Sequence, residues 1–199
     1  MATIRLANDR DAAAVAAIYA PYCEASAVSF ETAAPSPDEM AKRINTIGAT
    51  RPWLLLEDSG EVHGYAYASP HHERAAYQWS VSTAVYVSSA CHRRGVGRAL
   101  YTTLFELLRH LGYFRATAGV TLPNPASIGL HEALGFSRVG VYRHIGHKLG
   151  AWHDVAWFEA EVQPLVENPA PPRPIAALKG APEWDAAVKN GLARYVKRS

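Results

Sequence analysis

The residues with the clearest chemical potential are His92-Arg93-Arg94-Gly95-Val96-Gly97-Arg98-Ala99. Three arginines surround two glycines. Beyond them Leu100, Leu104, Leu107, Leu108 and Leu111 recur at the spacing of one helical face. A helix N-terminus presents unpaired backbone N–H groups and a partial positive charge. Glycine, lacking a Cβ, lets that backbone approach a ligand closely. The chemistry expected of this turn is the holding of a phosphate or pyrophosphate. It is not a P-loop, because no Gly-Lys-Ser/Thr follows. Nor is it a dinucleotide fingerprint, because Leu100 stands where the third glycine belongs. Taken alone, the stretch is also compatible with a basic surface turn that only caps a helix.

The elements that position this turn follow from local pattern. Val85-Tyr86-Val87 is strand-forming and leads into it. Upstream, Thr3–Leu6 reads as a strand, and Asn8 or Asp9 caps a helix that ends near Pro21. Ser36-Pro37-Asp38-Glu39 is a helix start with a capping box, and the helix stops around Gly48. Trp53–Glu57 and Val62–Ser69, joined by Asp58-Ser59-Gly60-Glu61, form a hairpin. The strand Trp79–Val87, the long helix and a strand over Arg115–Thr121 follow. Asn124 and Pro125 open another helix, which Gly135 ends in a left-handed conformation. Ser137–Lys148 and Asp154–Val162 alternate as two final strands. The order β-α-α-β-β-β-α-β-α-β-β predicts a mixed α/β domain over residues 1–163, not a strictly alternating one. Residues 164–181 read as a proline-rich extended linker. Residues 182–199 read as an amphipathic helix or tail, with Trp184, Val188, Leu192 and Tyr195 at helical spacing and Lys189, Arg194 and Lys197 elsewhere. It either docks on the domain or a second subunit, or frays as a basic tail.

Composition narrows the function classes. In 199 residues, 20 Lys and Arg against 18 Asp and Glu leave a net charge of +2, which implies no general nucleic-acid or membrane field. The start of the chain lacks the pattern of a signal peptide, and no apolar run approaches a membrane span. The two cysteines, Cys23 and Cys91, support neither a disulfide framework nor a zinc site. His144 and His147, three apart in a strand, face opposite sides, which argues against a metal. The expectation is a cytoplasmic protein with no metal, no nucleic acid and no membrane partner.

Two motifs in this element order resemble the GNAT N-acetyltransferases. One is Arg94-Gly95-Val96-Gly97 after the fourth strand, with His92 in the place usually held by Gln or Arg. The other is Asn124, with Ala126-Ser127, after the fifth strand, followed by a helix ending in Leu134-Gly135-Phe136. Closer still, residues 1–163 resemble the phosphinothricin N-acetyltransferases and relatives that acetylate amino-acid analogues such as methionine sulfoximine. The matching stretches include Ser29-Phe30-Glu31-Thr32, Gly64-Tyr65-Ala66-Tyr67-Ala68, Arg74-Ala75-Ala76-Tyr77, His131-Glu132-Ala133-Leu134-Gly135-Phe136 and Trp152-His153-Asp154-Val155.

The resemblance implies a central, mostly antiparallel twisted sheet splayed at an acetyl-CoA site and flanked by helices. It implies acetyl-CoA as co-substrate, a small amine as acceptor and a homodimer. The acetyl-CoA would be held by Val85, Tyr86 and Val87 against the pantetheine, by His92 to Ala99 at the pyrophosphate, and by Asn124 and Ser127 along the pantetheine arm. Phe30, Glu31, His72, Arg74, Tyr77 and His153 would form the acceptor site, with His153 either structural or near the substrate; the adjacency of His153 and Asp154 separately suggests a charge pair. An amine nucleophile must be neutral, so a base helps. The family carries a Glu three residues before the Val of Val-Tyr-Val; here that position is Ser82. Ser82 binds a water at most, because its hydroxyl does not titrate usefully. Replacement bases are His71, His72, Glu73 or Glu31, or the neutral amine attacks unaided. Tyr142 is either a proton donor to the departing thiolate or a core tyrosine. Two further readings remain: acetylation of a different amine or peptide, and a CoA-binding regulatory protein without catalysis.

Overall fold

The computed structural model describes residues 1–196. Seven strands form one sheet: β1 Thr3–Leu6, β2 Trp53–Asp58, β3 Glu61–Pro70, β4 Ser80–Val87, β5 Arg115–Thr121, β6 Ser137–Lys148 and β7 Ala151–Glu161, in the order β1-β2-β3-β4-β5-β7-β6. Five helices pack on it: α1 Ala12–Glu24, α2 Pro37–Gly48, α3 Val96–Leu111, α4 Pro125–Ala133 and α5 Pro182–Leu192. The β2–β3 hairpin turns through Ser59 (φ 55°) and Gly60 (φ 83°), the two positive-φ residues that match the right-handed twist of the strands it joins.

Strand alternation builds two cores. Leu54 and Leu56 of β2, with Ala66, Ala68 and Val81, meet Leu100, Leu104, Leu107 and Leu108 of α3. Trp53 and Leu55 point the other way, with Tyr65, to Val15, Ile18 and Tyr19 of α1 and Met40 and Ile44 of α2. The α3 leucines are wholly buried, so truncating one to alanine would cost about 2–5 kcal/mol.

One pair of neighbours is unlike the rest. β4 and β5 are parallel and pair only at Ser80↔Arg115, Val81↔Ala116 and Ser82↔Thr117. β4 nevertheless runs on to Val87 and stays bonded to β3, while β5 runs on to Thr121 and stays bonded to β7. Each strand is held by its outer neighbour, so the two part like a fork beyond Ser82. The splay implied by the resemblance is therefore present.

Several local expectations needed correction. α1 does not end at Pro21 but continues to Glu24: a mid-helix proline removes one backbone donor, yet its carbonyl still accepts from Ala25 N–H at 3.0 Å. Ser36 caps α2 by accepting from Glu39 N–H, but Glu39 forms no capping box, because its carboxylate turns to Arg43. The reciprocal box forms instead between Asn8 and Asp11. β7 begins at Ala151, three residues before Asp154, because Leu149 and Gly150 make a tight positive-φ turn that pairs Lys148 with Ala151. His144 (φ 49°) lies in an irregular stretch of β6, so simple alternation does not relate it to His147.

The segment after β7 lies against the domain. Trp79 Nε1 donates to the Ala170 carbonyl at 2.9 Å, and Ile175 N–H donates to the Thr50 carbonyl at 3.0 Å. Ile175 and Leu178 are buried, in a short turn of 3₁₀ helix. α5 packs along α3, with Trp184, Val188, Leu192 and Tyr195 against the core. A Cβ on Gly191 would sit 2.0 Å from the Thr103 hydroxyl, which is why a glycine stands at this crossing. Lys197 lies outside the described residues.

Candidate active site

The fork opens into a cleft lined by Val28, Thr83–Tyr86, Tyr101, Ala118–Thr121, Asn124, Ser127 and His131. Val85 and Tyr86 therefore stand on its wall. Val87, at the mouth, has a carbonyl that accepts from Tyr22 OH at 2.6 Å and lies 3.2 Å from His92 Nε2. The N-terminus of α3 follows directly. Its first closing bond is Ala99 N–H to the Gly95 carbonyl, so the amides of Val96, Gly97 and Arg98 have no acceptor within the helix.

The turn residues divide by role. Gly95 is left-handed (φ 76°), and a Cβ there would lie 2.1 Å from the Arg194 carbonyl. That glycine therefore makes room for the C-terminal segment. Gly97 has Leu130, Val85 and Val87 around its missing Cβ. The side chains of Val96 and Ala99 are buried in the core and can contribute only their backbone. Arg93 (φ 60°) lies in the turn, and Arg98 is exposed. Arg94 departs from expectation: its guanidinium donates to Tyr195 OH at 2.6 Å, contacts Cys91 Sγ and lies over the Tyr195 ring. Val196 N–H also donates to the Arg94 carbonyl. This arginine is committed to the tail and not turned to a ligand.

On the β5 side, Asn124 caps α4 by accepting from Ser127 N–H at 3.1 Å, and both residues line the cleft. His131 is a site residue that the sequence reading missed as such. Its Nδ1 is 2.7 Å from the Ser127 carbonyl, which can only accept, so Nδ1 carries the proton. Nε2 then faces Tyr101 OH at 3.4 Å. Burial lowers the His131 pKa and raises that of Tyr101. Its place four residues after Ser127, on the same face of α4, was the available signal.

A second, wider cavity adjoins the fork, lined by Tyr19, Val28–Glu31, Tyr86, Gly119, Thr121, Tyr142, Ile145, Val155 and Trp157. Phe30 and Glu31 are here as expected. Glu31 is bound by Arg43 at 2.6 and 3.1 Å and accepts from Tyr19 OH at 3.0 Å. The Arg43 guanidinium is the main cause of its lowered pKa. Tyr142 is on this outer wall, edge-on to Trp157, and is not a core residue: it is 57% exposed. The tyrosine lining the fork itself is Tyr101.

The remaining acceptor candidates scatter. His72 and Tyr77 stack with each other on the exposed loop after β3, and Arg74 is on the same loop; none of the three lines either cavity. His153 does not pair with Asp154. Its Nε2 donates to the Lys148 carbonyl, while Asp154 accepts from His144 N–H. His153 instead flanks Phe30, with ring centres 6.3 Å apart. Lys148, which the sequence reading did not single out, is buried and donates to the carbonyl of Ser29 at 2.5 Å, tying the cavity wall to β6. Ser82 sits at the vertex of the fork with His71 and Thr117. Among the described residues, no three His, Cys, Asp or Glu side chains gather as metal ligands would.

This geometry has counterparts. Residues 4–157 match the family model described as an acetyltransferase (GNAT) domain. A phosphinothricin N-acetyltransferase of Streptomyces viridochromogenes is 41% identical over 172 residues, 86% of this chain and 92% of that one. An L-methionine sulfoximine/L-methionine sulfone acetyltransferase of Salmonella typhimurium is 31% identical, over 85% of this chain and 98% of its own. A solved structure of a GNAT superfamily phosphinothricin acetyltransferase from Sinorhizobium meliloti, in complex with AcCoA, superposes with a TM-score of 0.80 at 32% identity, covering 87% of this chain and 98% of that one. With a forked β4–β5 pair, a glycine turn at α3 and a matching sequence over most of its length, the chain belongs to the GNAT acetyltransferase family.

Proposed function

We propose that this protein transfers an acetyl group from acetyl-CoA to the primary amine of a small amino-acid-like substrate, of the phosphinothricin or methionine sulfoximine type. The observation that carries the reading is the fork beyond Ser82↔Thr117, which leaves strand backbone unpaired beside a helix N-terminus. An extended pantetheine with two amides suits the unpaired edge of β4, through Val85–Val87. A pyrophosphate suits the free amides of Val96, Gly97 and Arg98, with Arg93 and Arg98 nearby. Asn124 and Ser127 stand on the opposite wall. The fork fits this group because an apolar, fully paired sheet would offer it nothing to bond.

Acetyl transfer forms a C–N bond and breaks a C–S bond. The amine must lose a proton and the thiolate gain one. The wider cavity supplies the acceptor's place: Val28, Phe30, Ile145, Val155 and Trp157 provide apolar walls, and Glu31 provides a carboxylate for an ammonium or amide. Holding the amine against the fork supplies much of the rate by orientation alone.

The wall composition favours a second reading on one point. Arg74 and His72, the cations expected for a phosphinate, do not line the cavity, so an acceptor with a neutral, apolar side chain fits these walls better than a dianion. Thiol release with acetyl-CoA and a panel of amines tests both. Turnover of phosphinothricin or methionine sulfoximine supports the first reading, and turnover confined to neutral amino acids or peptides supports the second. Tight CoA binding without turnover across the panel would instead make the protein a regulatory binder.

We also propose a homodimer working in the cytoplasm. Val139, Tyr142, Ile145, Leu149 and Trp152 leave an exposed apolar surface on the β6–β7 hairpin, at the edge of the sheet. Both cysteines are unpaired, as in a reducing compartment. Among the described residues, no helix is long and apolar enough to cross a membrane.

A further inference from the structure

We infer that His71, acting through the Ser82 hydroxyl, is the terminal acceptor of the proton that the amine must lose. This inference rests on the acetyl-transfer reading above. Ser82 is on the last paired rung before the fork. Its side chain shares a face with Ala84 and Tyr86, which line the fork, so it lies about 7 Å below Ala84 along the strand. His71 follows the end of β3 and turns its ring back to the same point. Nδ1 is 3.3 Å from Ser82 Oγ and 3.1 Å from Thr117 Oγ1, and the two hydroxyls are 3.2 Å apart.

The three atoms form a closed triangle. Thr117 can direct its proton to the Val81 carbonyl, 3.3 Å away, which leaves the Ser82 hydroxyl to donate to Nδ1. Tyr77 meets the imidazole edge-on at 5.7 Å, and the titratable and charged residues His72, Glu73 and Arg74 follow it along the exposed loop. Beside the rung, Arg115 is paired with Glu161 at 3.0 Å.

The transfer balances. The ammonium gives a proton through ordered water to Ser82 Oγ, which stands one rung below the cleft lining. The proton already on Oγ passes to Nδ1. The neutral amine attacks the thioester carbonyl, the C–S bond breaks, the thiolate leaves with the amine's second proton, and the partly exposed imidazolium returns to its Nε2-protonated neutral form by releasing a proton to solvent. Serine alone cannot serve as the sink, but a hydroxyl that hands its proton to an imidazole can.

The test is steady-state kinetics on an amine that the wild type turns over, with His71→Asn and the double variant His71→Asn, Ser82→Glu. Asparagine can accept from both hydroxyls through its amide oxygen, so it keeps the cluster but cannot take a proton. His71→Asn should lower kcat at least about 100-fold near neutrality, the lower end of the span a general base supplies. The KM for acetyl-CoA should stay within about twofold, and the variant should lose the rise of rate with pH that the wild type shows. A carboxylate at position 82 needs no relay, so the double variant should regain at least tenfold over His71→Asn. If His71→Asn keeps kcat within about threefold, or the carboxylate restores nothing, the relay is wrong while the acetyl-transfer reading stands. If the wild type turns over no amine, both fall together.

Discussion

At the scale of single residues, glycine and histidine carry the sharpest tests. Gly95 combines φ 76° with a carbonyl 2.1 Å from where its Cβ would be. Gly95→Ala should cost about 1–3 kcal/mol in urea unfolding and raise the KM for acetyl-CoA, because relief requires moving either the turn or Arg194. His131 predicts a pH effect of definite sign. Burial holds its pKa below the ordinary imidazole value, so the unfolded chain binds the proton more readily. Stability should then fall as pH drops through the ordinary imidazole range, and level off once the lower folded pKa is passed. His63, also lowered by burial, adds the same sign. His131→Gln should flatten this acid slope without abolishing it, as measured by denaturant unfolding at successive pH values. Part of the candidate site was legible: Asn124, Ser127, Phe30 and Glu31 line the two cavities, and Gly95 and Gly97 stand in the turn that opens α3. Arg94, His131 and His153 were not legible in that way, because their partners lie 101, 30 and 5 positions away in sequence and only packing brings them together.

At the scale of elements, the fork and the C-terminal helix act on the same turn. α5 is seated on α3 through Gly191, and the residues just beyond it close over Arg94 and Gly95. Tyr195 OH bonds Arg94 at 2.6 Å and lies 3.1 Å from His63 Nδ1 and 3.3 Å from Asp58. A hydrogen bond to a charged group contributes about 1.5–3 kcal/mol. Tyr195→Phe should therefore loosen the turn and raise the KM for acetyl-CoA severalfold while leaving the KM of the amine unchanged. Deleting residues 182–199 should do more in the same direction and also lower the melting temperature, since it uncovers the buried Ala99 and Thr103 of α3. Equal changes in both KM values would show that the tail supports the whole domain and not this turn.

At the scale of the molecule, the exposed apolar β6–β7 hairpin is the surface that bears on assembly. Leu149 in the turn and Trp152 at the start of β7 are 63% and 62% exposed, an unusual exposure for apolar side chains of this size. Trp152→Glu should shift the protein to a monomer in analytical ultracentrifugation if this edge is the dimer contact. Because the wider cavity uses Tyr142 and Ile145 of β6, in the same hairpin, the monomer should also show a raised amine KM. An unchanged mass would place any self-association elsewhere.

The sequence by itself determined the element order, the starts of α2 and α4, and the glycine turn, because each depends on neighbours within a few positions: Ser36 with Glu39, Asn124 with Ser127, the leucines of α3 with one another. It also marked Ser82 as a point of departure. Only the tertiary structure decided what surrounds that serine and what the arginine of the turn does. The ring that meets Ser82 comes from another strand end, and the phenol that holds Arg94 comes from the far end of the chain. Such contacts are set by how strands and helices close around a shared core, and no local spacing encodes them.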